Sequence, residues 1–527
     1  MLLPRFVASW LLVAGVLVAQ VGTPPTGKQL DDLRLSAYAA ENQQRFADAA
    51  ETFLKLGAAE PMRVEWVVAA GRCLGRGGRF ADATKLLAEA RSRFQGETSI
   101  AAMLARTFLL QAETDRAVMH PEVLWADAAE LAESVLATDP NHEDCRLVLA
   151  QVRYLQGDEA AAVAAAEEAV QRHPARAGAH VLLGRIHGDR FRALLTEYET
   201  TRPEGQPAAD LVGRIDTFRQ LALRSYTTAA KLDPSRPHPH VMLGQLRWID
   251  KKPDQARAHY ADALVLDPDV RIAHDELVAA LSIPDRVAFY DAVRRRYEAG
   301  KDPQPAKVAT LLFHAGRAWF EGAAWREAME ACRRAVQLNP AAANAHWYTF
   351  LAAYELGEHD IAEEHAAAYA AAGAAAFADV IRDLHGDRRG ATGAIVEFLG
   401  NRAFAAKRLD RSRDLNHVVA CLKDSADAWN NHAFLCRETG QFQAAWESYL
   451  HALEKEPDSP QLLNDGAVVL QYHLPTPEHL AKARTMYERA IQRADLLLAD
   501  ARTTEATRKT AAEAKANAQK NLQELGR

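Results

Sequence analysis

Long hydrophobic runs are scarce in this sequence of 527 residues. The one near the N-terminus spans residues 6–19, about 14 residues, whereas a membrane-spanning helix needs roughly 20. No later stretch is long and apolar enough to cross a bilayer. We therefore expect no membrane span in the mature chain.

Charge of one sign is not in large excess either. Lys and Arg number 63 and Asp and Glu number 70, which gives a formal net charge of -7 at pH 7. Such a chain has no overall attraction to phosphate backbones or anionic lipid. Nucleic acid is therefore not an expected partner.

Cysteine and aromatic residues are also sparse. The five cysteines are odd in number, and each stands where a helix would bury a small apolar side chain, so they do not indicate a disulfide framework. Aromatic residues make up 7% of the chain, and Val and Ile are scattered, so nothing favours a sheet. We expect an all-α chain.

Motifs that carry catalytic chemistry are missing as well. Gly75, Gly77 and Gly78 lack the Lys and the Ser or Thr of a phosphate-binding loop, and no G-x-S-x-G motif occurs. The sequence therefore predicts no catalytic residue, no cofactor-binding residue and no enzyme.

The N-terminal segment has the layout of a secretory signal peptide. Arg5 precedes the apolar run 6–19, and Gly22, Pro24 and Pro25 follow it, with cleavage expected after Ala19. An uncleaved anchor is the alternative. This layout predicts an exported protein, periplasmic or extracellular, most naturally of a bacterial envelope.

One residue spacing recurs along the chain. The spacing of 12, 4, 3 and 5 residues joins Gly244, Ala256, Tyr260, Ala263 and Pro268, and again Gly316, Ala328, Cys332, Ala335 and Pro340. Its last four positions recur in four further copies, which end at Pro61, Pro174, Pro234 and Pro457. Recurrence at a fixed period is typical of repeat architectures.

Each position of the spacing has a physical role. The small residues let two antiparallel helices approach closely. The residue four positions after the second-helix Ala fills the gap on the same face, and the Pro ends the second helix. The repeat is therefore a helical hairpin.

The pattern resembles the tetratricopeptide repeat family. The clearest copy carries the signature residues Trp429, Gly440, Phe442, Ala445, Tyr449, Ala452 and Pro457, while His432 and Ala433 stand where the family prefers Leu and Gly. The resemblance implies a right-handed α-solenoid of about eleven antiparallel helix pairs. These pairs should begin near Leu30, Val64, Thr98, Glu143, Ala177, Pro237, Arg271, Ala309, Ala343, Ala426 and Pro460.

The repeats divide the chain into segments. We expect a signal peptide at 1–19, a linker at 20–29, an N-terminal array at 30–300, a Pro-rich joint at 301–308, two further pairs at 309–372, an irregular helical joint at 373–424, C-terminal pairs at 425–497 and a polar helix or tail at 498–527. The fifth pair carries about 26 extra residues between its helices, and we expect these in the turn.

The 19 histidines do not predict a metal site. His359 and His365 are six residues apart, off the spacing of four that a helical zinc pair needs. His180, His240, His274 and His346 share one repeat position, which indicates packing.

The resemblance also implies a partner-binding groove lined by the first helices. Residues just after the small first-helix position should face the partner. Residues of the later repeats, from Trp347 onwards, fall at positions that can also face inward. The candidates are Arg72, Arg185, Gln245, Arg317, Trp347, Tyr348, Asn430, Asn431, Asn464 and Asp465. A row of arginines would suit an acidic or carboxylate-ended segment.

These features predict an exported scaffold that binds a protein or peptide in the groove of a superhelix. One alternative is a regulatory or assembly subunit of a cell-envelope complex. A more remote alternative is an envelope enzyme acting on glycan, which would need acidic pairs opposed across the groove.

Overall fold

The computed structural model describes residues 27–43 and 45–526, and every regular element in them is an α-helix. The all-α class is confirmed. The expected signal peptide at 1–19 lies outside the described residues. No described helix has the length and hydropathy needed to cross a membrane.

The chain divides into two compact units, Met1–Ala263 and Leu264–Arg527. The helices that begin in the first unit are α1 (Gly27–Asn42), α2 (Phe46–Ala59), α3 (Val64–Arg76), α4 (Phe80–Arg93), α5 (Thr98–Thr114), α6 (Pro121–Thr138), α7 (Glu143–Leu155), α8 (Glu159–Arg172), α9 (Ala177–Thr201), α10 (Gly205–Leu232), α11 (Pro237–Ile249) and α12 (Pro253–Leu266).

The second unit contains the remaining described helices. They are α13 (Arg271–Ala280), α14 (Ile283–Glu298), α15 (Pro305–Glu321), α16 (Trp325–Leu338), α17 (Ala343–Glu355), α18 (His359–Ala372), α19 (Ala374–Asp383), α20 (Asp387–Ala405), α21 (Leu409–Lys423), α22 (Ala426–Glu438), α23 (Phe442–Lys455), α24 (Pro460–Tyr472), α25 (Pro477–Ala499) and α26 (Glu505–Leu525).

Consecutive helices form hairpins because the small first-helix residue packs on the second helix. A methyl group added at Gly244 would lie 2.7 Å from the ring of Tyr260, and one at Gly71 would lie 2.8 Å from Leu87. A methyl group at Gly316 would collide with the Cys332 sulfur. Each glycine thus contacts the residue sixteen positions later, as the spacing predicts.

The extra residues of the fifth pair lengthen its helices, which corrects the expectation that they form a turn. Helix α9 has 25 residues and α10 has 28, and only residues 202–204 separate them. Leu195, Ile215 and Phe218 continue the apolar stripe and pack around the buried Tyr226. The insertion therefore extends the core of the hairpin, because its apolar residues keep the helical spacing.

The segment 373–424, expected to be an irregular joint, holds α19 and a complete additional hairpin of α20 and α21. Gly400 of α20 lies against Asn416 of α21, and the Ser412 hydroxyl donates a hydrogen bond to the Gly400 carbonyl at 3.0 Å. These residues keep the repeat spacing with Ser and Asn in place of Ala and an aromatic. The described residues thus contain twelve hairpins, one more than expected.

The C-terminal segment forms a helix that covers the end of the second unit. Ala511, Ala514 and Ala518 of α26 are buried, and Ala518 joins the core formed by α24 and α25. A capping helix shields an apolar face that the last repeat would otherwise expose.

Candidate partner-binding surface

Arg72, the first candidate, is held by a carboxylate of the preceding hairpin. Its Nε and Nη2 atoms donate to the two oxygens of Glu41 at 2.7 and 2.8 Å. Burial would raise the pKa of Glu41, but the hydrogen bonds and charges of Arg72 and Arg76 outweigh it and hold this pKa below its ordinary value. Arg72 therefore links α1 to α3.

Arg185 is held in a similar way across two hairpins. Its Nη1 donates to Glu113 of α5 at 2.7 Å, and its guanidinium lies 5.4 Å from the ring centroid of Tyr154. Gln151 of α7 donates to the other oxygen of Glu113 at 2.7 Å. Glu113 thus accepts hydrogen bonds from both Arg185 and Gln151.

Arg317 is paired within its own helix. Its Nε donates to Glu321 at 2.9 Å, and Glu321 also accepts from the buried Arg286 at 2.5 Å. Each of the three predicted arginines therefore has a carboxylate partner within the chain. The acid comes from an earlier hairpin for Arg72 and Arg185 and from the same helix for Arg317, so the charge of each predicted arginine is paired within the chain.

Trp347 and Tyr348 are packing residues. The Trp347 ring lies 5.6 Å from that of Tyr369 and 5.5 Å from that of Phe377, which joins α17 to α18 and α19. Tyr348 lies edge-on to Phe320 at 5.2 Å, and burial raises its pKa. Both side chains remain half-buried.

Asn464 and Asp465 lie beneath the C-terminal helix. Asn464 is 4% exposed, donates to Asp465 at 2.9 Å and accepts from Asn521 of α26 at 3.2 Å. Burial raises the pKa of Asp465. Gln245, the remaining candidate of the first unit, is half-buried directly after Gly244.

Asn430 and Asn431 of α22 are the predicted residues that stay available. Asn430 is half-buried and Asn431 is exposed. Neither side chain makes a hydrogen bond within the part of the chain that the structure describes. An amide that is partly exposed and unpartnered can both donate to and accept from a bound backbone.

One exposed and one half-buried aromatic ring lie beside these amides. Phe404 of α20 is 47% exposed, and its ring centroid lies 6.2 Å from that of Phe434 of α22 in an edge-to-face arrangement. Phe434 is one helical turn beyond Asn430 and Asn431, and Asn401 is one turn before Phe404. Two first helices therefore present phenyl and amide groups together.

Phe398 extends this surface towards α17 and α18. It is 45% exposed, and its ring lies 5.3 Å from that of His359 and 6.4 Å from that of Tyr354. The Phe404 surface is defined here as Phe398, Asn401, Phe404, Asn430, Asn431 and Phe434. Sequence reasoning missed its α20 half because that hairpin lacks the signature residues; the unbroken spacing from Gly400 to Asp424 was the available signal.

The packing between helices follows one rule along the chain. In successive hairpins a small residue of the first helix contacts the side chain sixteen positions later. In the fifth hairpin the inserted residues lengthen this separation, and Gly184 contacts Tyr226. A family model described as the second ARM domain of tetratricopeptide repeat protein 21 matches residues 102–190. The chain is therefore similar to tetratricopeptide-repeat proteins, both in this segment and in the packing of its hairpins.

Solved structures, some of them of tetratricopeptide-repeat (TPR) proteins, are similar to this chain at low identity. The APC/C hetero-tetramer Cut9-Hcn1 is 13% identical, with a TM-score of 0.27 over 96% of this chain and 98% of that one. A thermophilic TPR protein of Thermus thermophilus is 14% identical, with a TM-score of 0.25 over 47% of this chain and 98% of that one.

A tetratricopeptide repeat protein of Parabacteroides merdae is 11% identical to this chain. Its TM-score is 0.27, over 62% of this chain and 99% of that one. Among curated protein sequences, none matches the chain.

Proposed function

We propose that this protein is an interaction scaffold that binds an extended segment of a partner protein on the Phe404 surface. The observation that carries the proposal is the exposed Phe404 ring, which lies against Phe434 beside the unpartnered amides of Asn430 and Asn431. Exposed aromatic rings and free amides on adjoining helices contribute little to the core, and aromatic residues are enriched in the buried centre of protein interfaces.

The chemistry of the surface favours an uncharged segment. The amides can bond the backbone N–H and C=O of an extended peptide, and the phenyl rings suit an apolar or aromatic side chain. The nearby cation, Arg437, lies 5.4 Å from the Phe434 centroid and donates to Glu438 at 3.3 Å. The proposal therefore does not require an acidic partner.

We place this activity in an exported compartment, periplasmic or extracellular. The support is the order of Arg5, the apolar run 6–19 and the following Gly and Pro residues. A regulatory or assembly subunit of an envelope complex would use the same surface. N-terminal sequencing of the mature protein tests export: a terminus at Gln20 supports it, and an intact Met1 with cytosolic fractionation contradicts it.

Quantitative co-purification tests the binding surface. The double variant Phe404→Ala and Phe434→Ala is compared with the parent and with Leu450→Ala, which removes a 36% exposed apolar side chain from the second helix α23. Truncation of an aromatic anchor to Ala costs about 1–2 kcal/mol or more of binding free energy for each side chain removed. Recovery of the partner should fall at least about tenfold in the double variant and stay unchanged in Leu450→Ala; equal recovery from all three would exclude this surface.

A further inference from the structure

The sixth hairpin, of α11 and α12, brings together two histidines and a carboxylate. They are His240 on α11 and His259 and Asp262 on α12. One ligand atom of each lies within 4.8 Å of the other two, and His240 Nδ1 is 3.8 Å from Asp262 Oδ2. His259 and Asp262 are three residues apart, so they lie on one face of α12.

The ninth hairpin contains the same two histidines at the same places. His240 and His346 are each the fourth residue of a first helix, and His259 and His365 are each the seventh residue of a second helix. In the ninth hairpin the histidines bond each other, with their Nδ1 atoms 3.0 Å apart. Ala368 stands where the sixth hairpin has Asp262, so no carboxylate joins them.

The sixth hairpin differs in the state of its ring nitrogens. The Nδ1 atoms of His240 and His259 are both buried, and neither has a hydrogen-bond partner in the described residues. The ring centroids are 6.1 Å apart, against 4.9 Å in the ninth hairpin. Two buried imidazole nitrogens without hydrogen-bond partners thus belong to side chains that lie close to one carboxylate.

At the same repeat position in the seventh hairpin, a third histidine has hydrogen-bond partners for both ring nitrogens within the chain. His274, the fourth residue of α13, bonds the Tyr290 hydroxyl at 2.9 Å through Nδ1 and the Pro268 carbonyl at 2.7 Å through Nε2. Buried polar atoms without partners are costly, so the two orphan nitrogens of the sixth hairpin need an explanation, and a bound ion is one that the nearby carboxylate favours.

We propose that His240, His259 and Asp262 bind one divalent ion of the zinc class. Two imidazole nitrogens and one carboxylate oxygen form a common donor set for zinc, and a fourth position remains for water or a donor group of a bound molecule. Tetrahedral ligands around zinc lie about 3.3 Å apart. The side chains of His240 and Asp262 keep 18% and 39% of their surfaces exposed, which leaves room for the small rotation that closes the site.

The ion would join the first and second helices of one hairpin at its surface. It would satisfy both orphan nitrogens and neutralise the carboxylate, and the open position would face solvent. The site is independent of the Phe404 surface, which lies in the other unit.

Equilibrium dialysis of the full chain against Zn²⁺, followed by metal analysis, tests the proposal. We expect one tightly bound ion per chain. Asp262→Asn and His259→Gln should each weaken binding at least about tenfold, since each removes a ligand. His346→Gln, the matched change in the ninth hairpin, should leave affinity and stoichiometry unchanged.

Co²⁺ substitution gives a second readout. Strong visible absorption from tetrahedral Co²⁺ should appear in the parent and in His346→Gln and be absent from Asp262→Asn, while circular dichroism confirms that every variant is folded. Equal Zn²⁺ affinity of the parent and Asp262→Asn would overturn the proposal. So would a parent that binds Zn²⁺ no more tightly than the double variant His240→Gln and His259→Gln.

Discussion

Phe404 on α20 and Phe434 on α22 meet edge to face, with ring centroids 6.2 Å apart, although Phe404 leaves nearly half of its surface exposed. A ring in this position adds little to the core. We expect Phe404→Ala to change the free energy of unfolding by less than about 1 kcal/mol. Phe377→Ala, which removes a fully buried ring from α19, should cost about 3–5 kcal/mol. Urea unfolding followed by circular dichroism measures both, and equal losses would mean that Phe404 is a core residue.

Close contact between paired helices can be tested at Gly244. Gly244→Ala places a methyl group 2.7–2.9 Å from the ring of Tyr260, which is 1% exposed and cannot move away. We expect a loss of about 1–3 kcal/mol. Gly213→Ala, in α10 with no atom within 4 Å, should be neutral or stabilise by up to about 1 kcal/mol, since alanine favours helix. The thermal unfolding midpoint should fall in Gly244→Ala and stay unchanged or rise in Gly213→Ala; a neutral Gly244→Ala would contradict the packing.

Glu363 of α18 anchors the additional hairpin. Its side chain is fully buried and accepts from Arg408 at 2.5 and 2.7 Å and from Arg402 at 3.2 Å. Glu363→Gln replaces one accepting oxygen with an amide donor that faces a guanidinium. We expect a loss of about 1–3 kcal/mol in urea unfolding.

The neighbouring Glu364 provides the control for this change. It is 60% exposed and pairs with Arg411 at 3.1 Å, so Glu364→Gln should alter stability by less than about 0.5 kcal/mol. Similar effects of the two substitutions would show that residues 387–423 are not held by Glu363.

Acid should weaken the fold through His365. Burial, and then the proximity of His346, lowers the pKa of His365 from 6.5 to about 4. Between these values the unfolded chain binds a proton that the folded chain does not, so stability falls as the pH drops from about 6.5 to about 4 and levels off below. The contribution is at most about 3 kcal/mol.

Urea midpoints at pH 7 and pH 5 measure this contribution. His365→Gln should reduce the difference between the two midpoints, and His385→Gln, at an exposed position, should not. An unchanged difference in His365→Gln would mean that His365 is already protonated in the fold or carries none of the pH dependence.

Much of the fold could be predicted from the spacing of small residues and prolines. Nine of the predicted first-helix starts, from Val64 to Pro460, coincide with observed helix starts, because proline and close helix contact leave a mark at fixed positions. The hairpin of α20 and α21 was missed because Ser412 and Asn416 occupy its contact positions. The repeat spacing persists in this hairpin, but the residue types that usually mark the repeat do not.

The binding surface could be predicted only in part. Asn430 and Asn431 followed from the family pattern, whereas Phe398 and Phe404 lay in the unrecognised hairpin. The pairing of two of the predicted arginines could not be foreseen because their partners are distant in sequence: Glu113 lies 72 residues before Arg185, and Glu41 lies 31 before Arg72. One sequence does not reveal which charges a fold will pair.

Site-specific photo-crosslinking in the protein's own cells tests the proposed function most directly. A photoreactive phenylalanine analogue is placed at position 404, at 434 and, as the control, at 450. The proposed binding surface predicts a crosslinked partner protein from 404 and 434 and none from 450. Crosslinks from 450 with none from 404 or 434 would contradict it.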